Sequence, residues 1–318
     1  MNNRFNNDYQ YDSCVSRGIC SISPRISALQ TVLVLYFRLF AKYAFDLYEK
    51  NLLEDRMKEF VLNSISATIY NSEFNEETYF SIINIFKEKL PEMIQKFVEI
   101  FPDNNLDEEL KKAKELFSET SDILKAIQFG EKRIIKVQNE LPNDIRDLYN
   151  IALLVIKSLA INLLDLESYK QVHTLGFEKI ITLLGMINLQ EYSEKTLKKE
   201  IFDASTINVE IMRDIRIIQE KRYGKQYTTE VSYSTKSGKA ILVVGSNIRE
   251  LEIILEELKD EEIDVYTHDE MMLAHTFPKF KEYPNLKGQY GQGMENCLLD
   301  FSTFPGRWAW AALWTPPM

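Results

Sequence analysis

The chain has 318 residues, of which 45% are hydrophobic and 27% charged, and its formal net charge is −10. That length allows two domains with separate cores, and the composition excludes a disordered or fibrous chain. The acidic balance argues against sequence-independent nucleic-acid binding, which needs a basic surface, and reads as solubility.

At the N-terminus, "MNNRFNNDYQYD" lacks the apolar core of a secretory signal. Three cysteines, Cys14, Cys20 and Cys297, make an odd count that suits a reducing cytoplasm better than a disulfide framework. The stretch "CVSRGIC" (14–20) matches neither the zinc nor the redox C-x-x-C spacing, so by spacing alone it reads as structural thiols. Two cysteines are also only half of a four-cysteine iron–sulfur set.

Apolar residues recur at helical spacing over 27–50, 55–70, 76–100, 106–128, 142–168 and 190–222. In the second segment, for example, Phe60, Leu62, Ile65 and Ile69 share a face. Asn104 and Pro142 fall at expected helix starts. The apolar runs 29–45 and 151–166 are interrupted by Arg38 and Lys42 and by Lys157, and both fall short of a span of roughly 20 residues. They are expected to be buried bundle helices, with no membrane partner. His173 has no neighbouring acid or cysteine and reads as an ordinary polar residue. Residues 1–223 are thus expected to form an all-α domain of two successive bundles.

Glycine marks the change that follows: seven of the eleven lie at or beyond Gly224. "KAILVVG" (239–245) reads as a buried parallel strand, and "NIRELEIILEELKD" (247–260) as an amphipathic helix with Asn247 and Glu250 at capping-box spacing. "IDVYT" (263–267) is a second strand and "KGQYG" (287–291) a third. The expected fold class is α+β: helix bundles followed by a short, Rossmann-like α/β domain with a parallel sheet over 224–318.

"GSN" (245–247) stands where α/β folds bind phosphate, but no G-x-G-x-x-G or Walker lysine accompanies it, so it reads as a plain turn. "GQYGQG" (288–293) has glycines in the wrong order for a phosphate cradle. "VYTHDEMMLAH" (265–275) leaves two readings open. Thr267 and Glu270 have the spacing of a capping box; Glu270 at a strand's carboxyl end is equally placed to bind a metal, with His268 or His275 as ligand or support. All three tryptophans, Trp308, Trp310 and Trp314, crowd into "RWAWAALWTPPM" (307–318). This break in composition reads as a non-native end or, second, as a membrane-interface or docking tail.

The string "DVYTHDEMMLAHTFPKFKEYPNLKGQYG" (264–291) resembles the hybrid-cluster protein family, also called prismane proteins or hydroxylamine reductases. The family's segment runs D-V-Y-T-H-G-E-M-L-P-A-H, then a Y-P-x-F-K-K-Y-P-like run and G-N-Y-G. "CVSRGICSISPRISALQTVLV" (14–34) is similar to its C-x5-C stretch and L-Q-D-L-L continuation. Residues 59–77 and 143–160 resemble its two helical repeats, and 239–255 its G-I-L-I-S-G-H-D-L strand-to-helix segment. The resemblance runs from about residue 14 to 306. It implies an oxygen-sensitive iron–sulfur oxidoreductase of three domains. The family carries a conventional iron–sulfur cluster and a hybrid iron–sulfur–oxygen cluster, the latter reducing hydroxylamine to ammonia, with an electron-donor protein and a homo-oligomer as implied partners.

Carried over by position, the resemblance makes Cys14 and Cys20 the second pair of N-terminal cluster ligands, with Asn2 and Phe5 where the first pair belongs. Glu270 matches the glutamate ligand of the hybrid cluster. The histidine ligand of G-H-D-L falls at Ser246, and the next cysteine ligand near Trp314. The expectation is therefore a truncated hydroxylamine reductase with most cluster ligands missing and impaired activity. The alternatives are a non-enzymatic binding scaffold and a frameshifted gene fragment.

Overall fold

The computed structural model describes residues 23–69, 75–140, 143–189, 193–293 and 296–311. Contacts divide the chain into two units. The first holds the described residues up to Leu163 together with His173–Val209, and the second holds Leu164–Val172 and the described part of Glu210–Trp314.

The first unit is helical, built on α1 (Pro24–Glu49), α2 (Asp55–Ser66), α3 (Glu76–Ile100), α4 (Leu106–Glu119), α5 (Ile123–Glu140), α7 (Thr174–Leu189) and the N-terminal parts of α6 (Asn143–Ser168) and α8 (Glu194–Tyr223), whose ends from Leu164 and Glu210 belong to the second unit. Ser23 starts α1 by accepting from the Ile26 N–H at 3.2 Å, and a proline follows in the first turn. This helix is long and apolar enough to cross a membrane by composition, yet 67% of its apolar window is buried inside the protein. It packs against α3, α5 and α7. Leu29, Leu33, Tyr36, Phe40 and Leu47 are sealed there, each contributing about 1.5–3 kcal/mol by leaving water. The polar ends of its tyrosines are satisfied: the Tyr36 hydroxyl lies 2.7 Å from that of Thr120, and Tyr43 donates to Glu109 at 2.6 Å.

Three helix boundaries differ from the periodicity. The segment expected over 106–128 is two helices, because Thr120 ends α4 and Asp122 accepts from the Lys125 N–H at 2.9 Å to start the next. Asn105, not Asn104, caps α4, accepting from the N–H groups of Asp107 and Glu108. Helix α7 was not expected; His173 Nδ1 accepts from the Gly176 N–H at 3.2 Å, so this histidine caps a helix. Pro142 lies outside the described residues.

In the second unit, β1 (Lys239–Gly245), α9 (Ile248–Glu257), β2 (Ile263–Thr267), β3 (Leu286–Gln289), α10 (Cys297–Thr303) and β4 (Arg307–Ala311) make a parallel sheet of order β3-β2-β1-β4. Asn247 caps α9 as expected, accepting from the Glu250 N–H at 3.0 Å. Between β2 and β3 the chain uses two 3-10 turns, Asp269–Thr276 and Pro278–Glu282, in place of a second α-helix. The fourth strand was not expected: the first five residues of the tryptophan-rich tail pair with Ile241–Gly245. Both faces of the sheet are covered. Val243 and Val265 pack with Leu251, Met271 and Phe277 on one side, and Leu242, Val244 and Tyr266 with Phe304 on the other. Glu252 ties the end of α8 to α9, accepting both arms of Arg222 at 2.8 and 3.1 Å and the Tyr223 hydroxyl at 3.0 Å. Burial alone would raise this carboxyl; the guanidiniums of Arg222 and Arg249 reverse that and hold it below the usual range.

Two predictions follow from this packing. Gly130 of α5 lies so close to α1 that a Cβ there would meet the Ala28 carbonyl oxygen at 2.2 Å. Gly130→Ala should therefore lose about 2–3 kcal/mol in urea unfolding, against the ~1 kcal/mol that alanine's helix propensity would add. Burial pushes the Asp165 carboxyl up to about 7 and leaves its Oδ1 without a hydrogen-bond partner among the described residues. Glu250 is likewise pushed up to about 7, by burial and then by Asp165. Ordinary carboxyls titrate near pH 4, so between about pH 4 and pH 7 the folded unit holds more protons than the unfolded chain, and stability falls as pH rises through that window. Asp165→Asn should flatten this dependence and raise the pH 8 unfolding free energy by about 1–2 kcal/mol.

Candidate functional site

Parallel strands β1 and β2 run in register, with Val243 opposite Thr267. Ser246 and Glu270 therefore stand three residues past one paired rung, at the carboxyl edge where open α/β sheets place their ligands. The edge also lies at a topological switch: the chain moves from β1 to β2 to β3 on one side and returns to β4 on the other.

The turn that presents Glu270 is held by its neighbours. The His268 N–H donates to the Val243 carbonyl at 3.0 Å, and the Tyr290 N–H to the Thr267 carbonyl at 2.8 Å. Asp269 takes a φ of 54°, the left-handed region that aspartate tolerates better than most side chains. Gln289 pins this residue: its amide oxygen accepts from the Asp269 N–H at 2.8 Å. Its nitrogen donates to the Thr267 carbonyl at 3.0 Å and hydroxyl at 2.6 Å. The Thr267 hydroxyl lies 2.9 Å from His275 Nε2. Burial first, and Lys281 second, pull His275 down to about 4, so its ring is neutral at pH 7.

Thr267 consequently does not cap a helix. Of the two readings left open for Thr267 and Glu270, the capping box is absent: His268 takes the cap position without a side-chain cap bond, and the hydroxyl is spent on His275 and Gln289. Glu270 is exposed on the rim of a cleft of about 550 Å³, beside Tyr233, Met272, Gln289 and Gln292. Partial burial of its carboxyl and then the adjacent Asp269 push it above the usual range; the residue's exposure keeps that effect modest.

His268 is fully buried. Its Nε2 lies 2.9 Å from Asp300 Oδ2, its ring packs edge-on against Phe301, and Nδ1 has no partner among the described residues. The same Asp300 oxygen accepts from the Gln292 N–H at 3.0 Å. Gly291, at φ 73°, comes so close that a Cβ would meet that oxygen at 2.3 Å. Gly291 of "GQYGQG" thus serves close packing, as does Gly288, where a Cβ would meet the Ser232 carbonyl oxygen at 2.1 Å. Asp300 and Gln289 were not singled out from the sequence; Asp300 lies 32 positions from His268, beyond any local spacing rule.

The sequence profile of the prismane/CO dehydrogenase family matches residues 10–311. The chain belongs to this family. Similar proteins include the hydroxylamine reductase of Gloeothece citriformis, 28% identical over 93% of this chain and 53% of the relative. Those of Methanocella arvoryzae (25%, 93% and 54%) and Thermodesulfovibrio yellowstonii (27%, 92% and 53%) are comparable. The chain spans about half the length of the curated relatives it matches.

Prismane proteins imply iron–sulfur clusters, and the described residues do not complete a set of ligands for one. Among them, no three His, Cys, Asp or Glu groups converge to hold a metal. At the sheet edge Glu270 offers an exposed carboxylate, Ser246 stands where the resemblance would place a histidine, and His268 is sealed against Asp300. Cys14, Cys20 and Trp314 lie outside the described residues, and Cys297 begins α10. The left-handed turn explains one departure from the family's run: Asp269 occupies the glycine position of Y-T-H-G-E-M, where a positive φ is required. Asp269→Gly should leave urea stability within about 0.5 kcal/mol, whereas Asp269→Val should lose about 1–2 kcal/mol through a β-branched side chain at positive φ.

Proposed function

We propose that this chain is built on the plan of a hydroxylamine-reducing iron–sulfur oxidoreductase, contributing Glu270 to a hybrid cluster that it holds weakly. The supporting observation is the paired edge of β1 and β2: the glutamate is presented past one strand, and past the other a serine hydroxyl replaces an imidazole. A neutral hydroxyl is a much poorer iron ligand than a histidine nitrogen or a thiolate. Reduction of hydroxylamine to ammonia takes two electrons and two protons and releases water. The electrons would come from a donor protein, in a reducing cytoplasm. Cys14 and Cys20 would supply two thiolates of the second, N-terminal cluster.

Iron, acid-labile sulfide and electron paramagnetic resonance after anaerobic purification, with hydroxylamine-dependent oxidation of reduced methyl viologen, test this reading. Substoichiometric iron and slow turnover are expected, with both raised by Ser246→His and removed by Glu270→Ala. Stoichiometric iron and fast turnover that survive Glu270→Ala would overturn it. A non-enzymatic scaffold is the second reading, favoured by the intact packing of His268, Asp300 and Gln289 around an incomplete ligand set. It requires that neither variant change iron content or turnover.

A further inference from the structure

The cleft of about 550 Å³ whose rim carries Glu270 has an apolar wall as well as a charged one. Tyr233, Met272 and Leu273 form the apolar wall and are left 59%, 37% and 53% exposed, large side chains turned to solvent in a concave place. Asp269 and Glu270 supply the charge, and no lysine or arginine lines the cleft among the described residues. The Glu270 carboxylate forms no ion pair with a described residue. Other carboxylates of the same unit are engaged: Glu252 by Arg222 at 2.8 Å, Asp264 by Lys287 at 3.4 Å and Glu282 by Lys279 at 2.7 Å.

Tyr233 stands on a segment between α8 and β1 (224–238) that is neither helix nor strand. Three backbone contacts seat this segment beside the cleft. The Gln289 N–H donates to the Ser232 carbonyl at 2.8 Å, the Tyr227 N–H to the Thr276 carbonyl at 3.0 Å, and the Lys236 N–H to the Tyr266 hydroxyl at 2.9 Å. The seat is close, because only a glycine at 288 leaves room for the Ser232 carbonyl. Tyr233 is thereby held with its hydroxyl 3.2 Å from the Met272 sulfur, so that ring and thioether make one continuous surface.

We propose that this cleft binds a small organic primary ammonium ion, its charged head against the Glu270 and Asp269 carboxylates and its hydrocarbon body along Tyr233, Met272 and Leu273. An ammonium head brings one positive charge and three N–H donors, which carboxylate oxygens accept in charge-assisted hydrogen bonds. A tyrosine ring and a thioether are surfaces that favour a cation with an apolar stem. A bare metal ion matches the cleft less well: no third His, Cys, Asp or Glu converges with this pair among the described residues, and an ion would leave the apolar wall uncovered. The volume is that of a small-molecule site. Binding of this kind is independent of iron and goes beyond the cluster proposed above.

Titration calorimetry on the full-length protein at constant ionic strength tests this with three probes: phenethylammonium, methylammonium, which lacks the body, and 2-phenylethanol, which lacks the charge. Phenethylammonium should bind about tenfold or more tightly than either of the others. Glu270→Gln should weaken phenethylammonium about tenfold and leave 2-phenylethanol unchanged. Tyr233→Ala should weaken phenethylammonium and leave methylammonium unchanged. Gly288→Ala displaces the Ser232 carbonyl, and Tyr233 with it, without altering either wall; it should weaken phenethylammonium as well. Both wall variants change exposed side chains, so they keep the test decisive if Gly288→Ala fails to fold. No phenethylammonium binding up to about 10 mM, equal affinity for all three probes, or full affinity in Glu270→Gln would each overturn the proposal. Iron content measured on the same sample decides the cluster separately, so the two can fail independently.

Discussion

The parallel pairing of β1 with β2 is the constraint on which the α/β unit depends. One register, Val243 opposite Thr267, determines which residues leave the sheet together at its carboxyl edge. It also sorts alternate residues of β1 into two cores, Val243 to one face and Leu242 with Val244 to the other. A slip of one residue would exchange these faces and move Glu270 off its edge.

Around that edge, the polar groups behind Glu270 are tightly interlinked. Gln289, Thr267, His275, His268 and Asp300 form hydrogen-bonded sets that fix the turn. Ser246, half-buried just past the end of β1, stands where the resemblance would place a histidine. Loss of one of these supporting groups would leave a buried polar partner unpaired and loosen the turn that presents Glu270.

Much of this architecture was legible in the sequence because it rests on periodicity. "KAILVVG" and "IDVYT" read as parallel strands because both faces of each are buried. The break at Thr120 to Asp122 was not legible, since apolar spacing continues across it and only the caps reveal the boundary. The capping role of His173 was not legible because histidine is an uncommon cap. The strand Arg307–Ala311 was hidden by its unusual composition, although its alternation suits a strand. At the site, Glu270 was visible through resemblance; Asp300 and Gln289 were not, because their roles arise from contacts that only the folded sheet creates.

The strand order has a consequence for how the protein forms during synthesis. The central strand β1 is flanked on one side by β2, which follows it closely, and on the other by β4, which emerges last. While the ribosome is still adding residues before Arg307, Leu242, Val244 and Tyr266 present an apolar face beside an open strand edge. The helical unit has by then been made in full. That face stays open to misassociation until β4 has been made and has paired with β1.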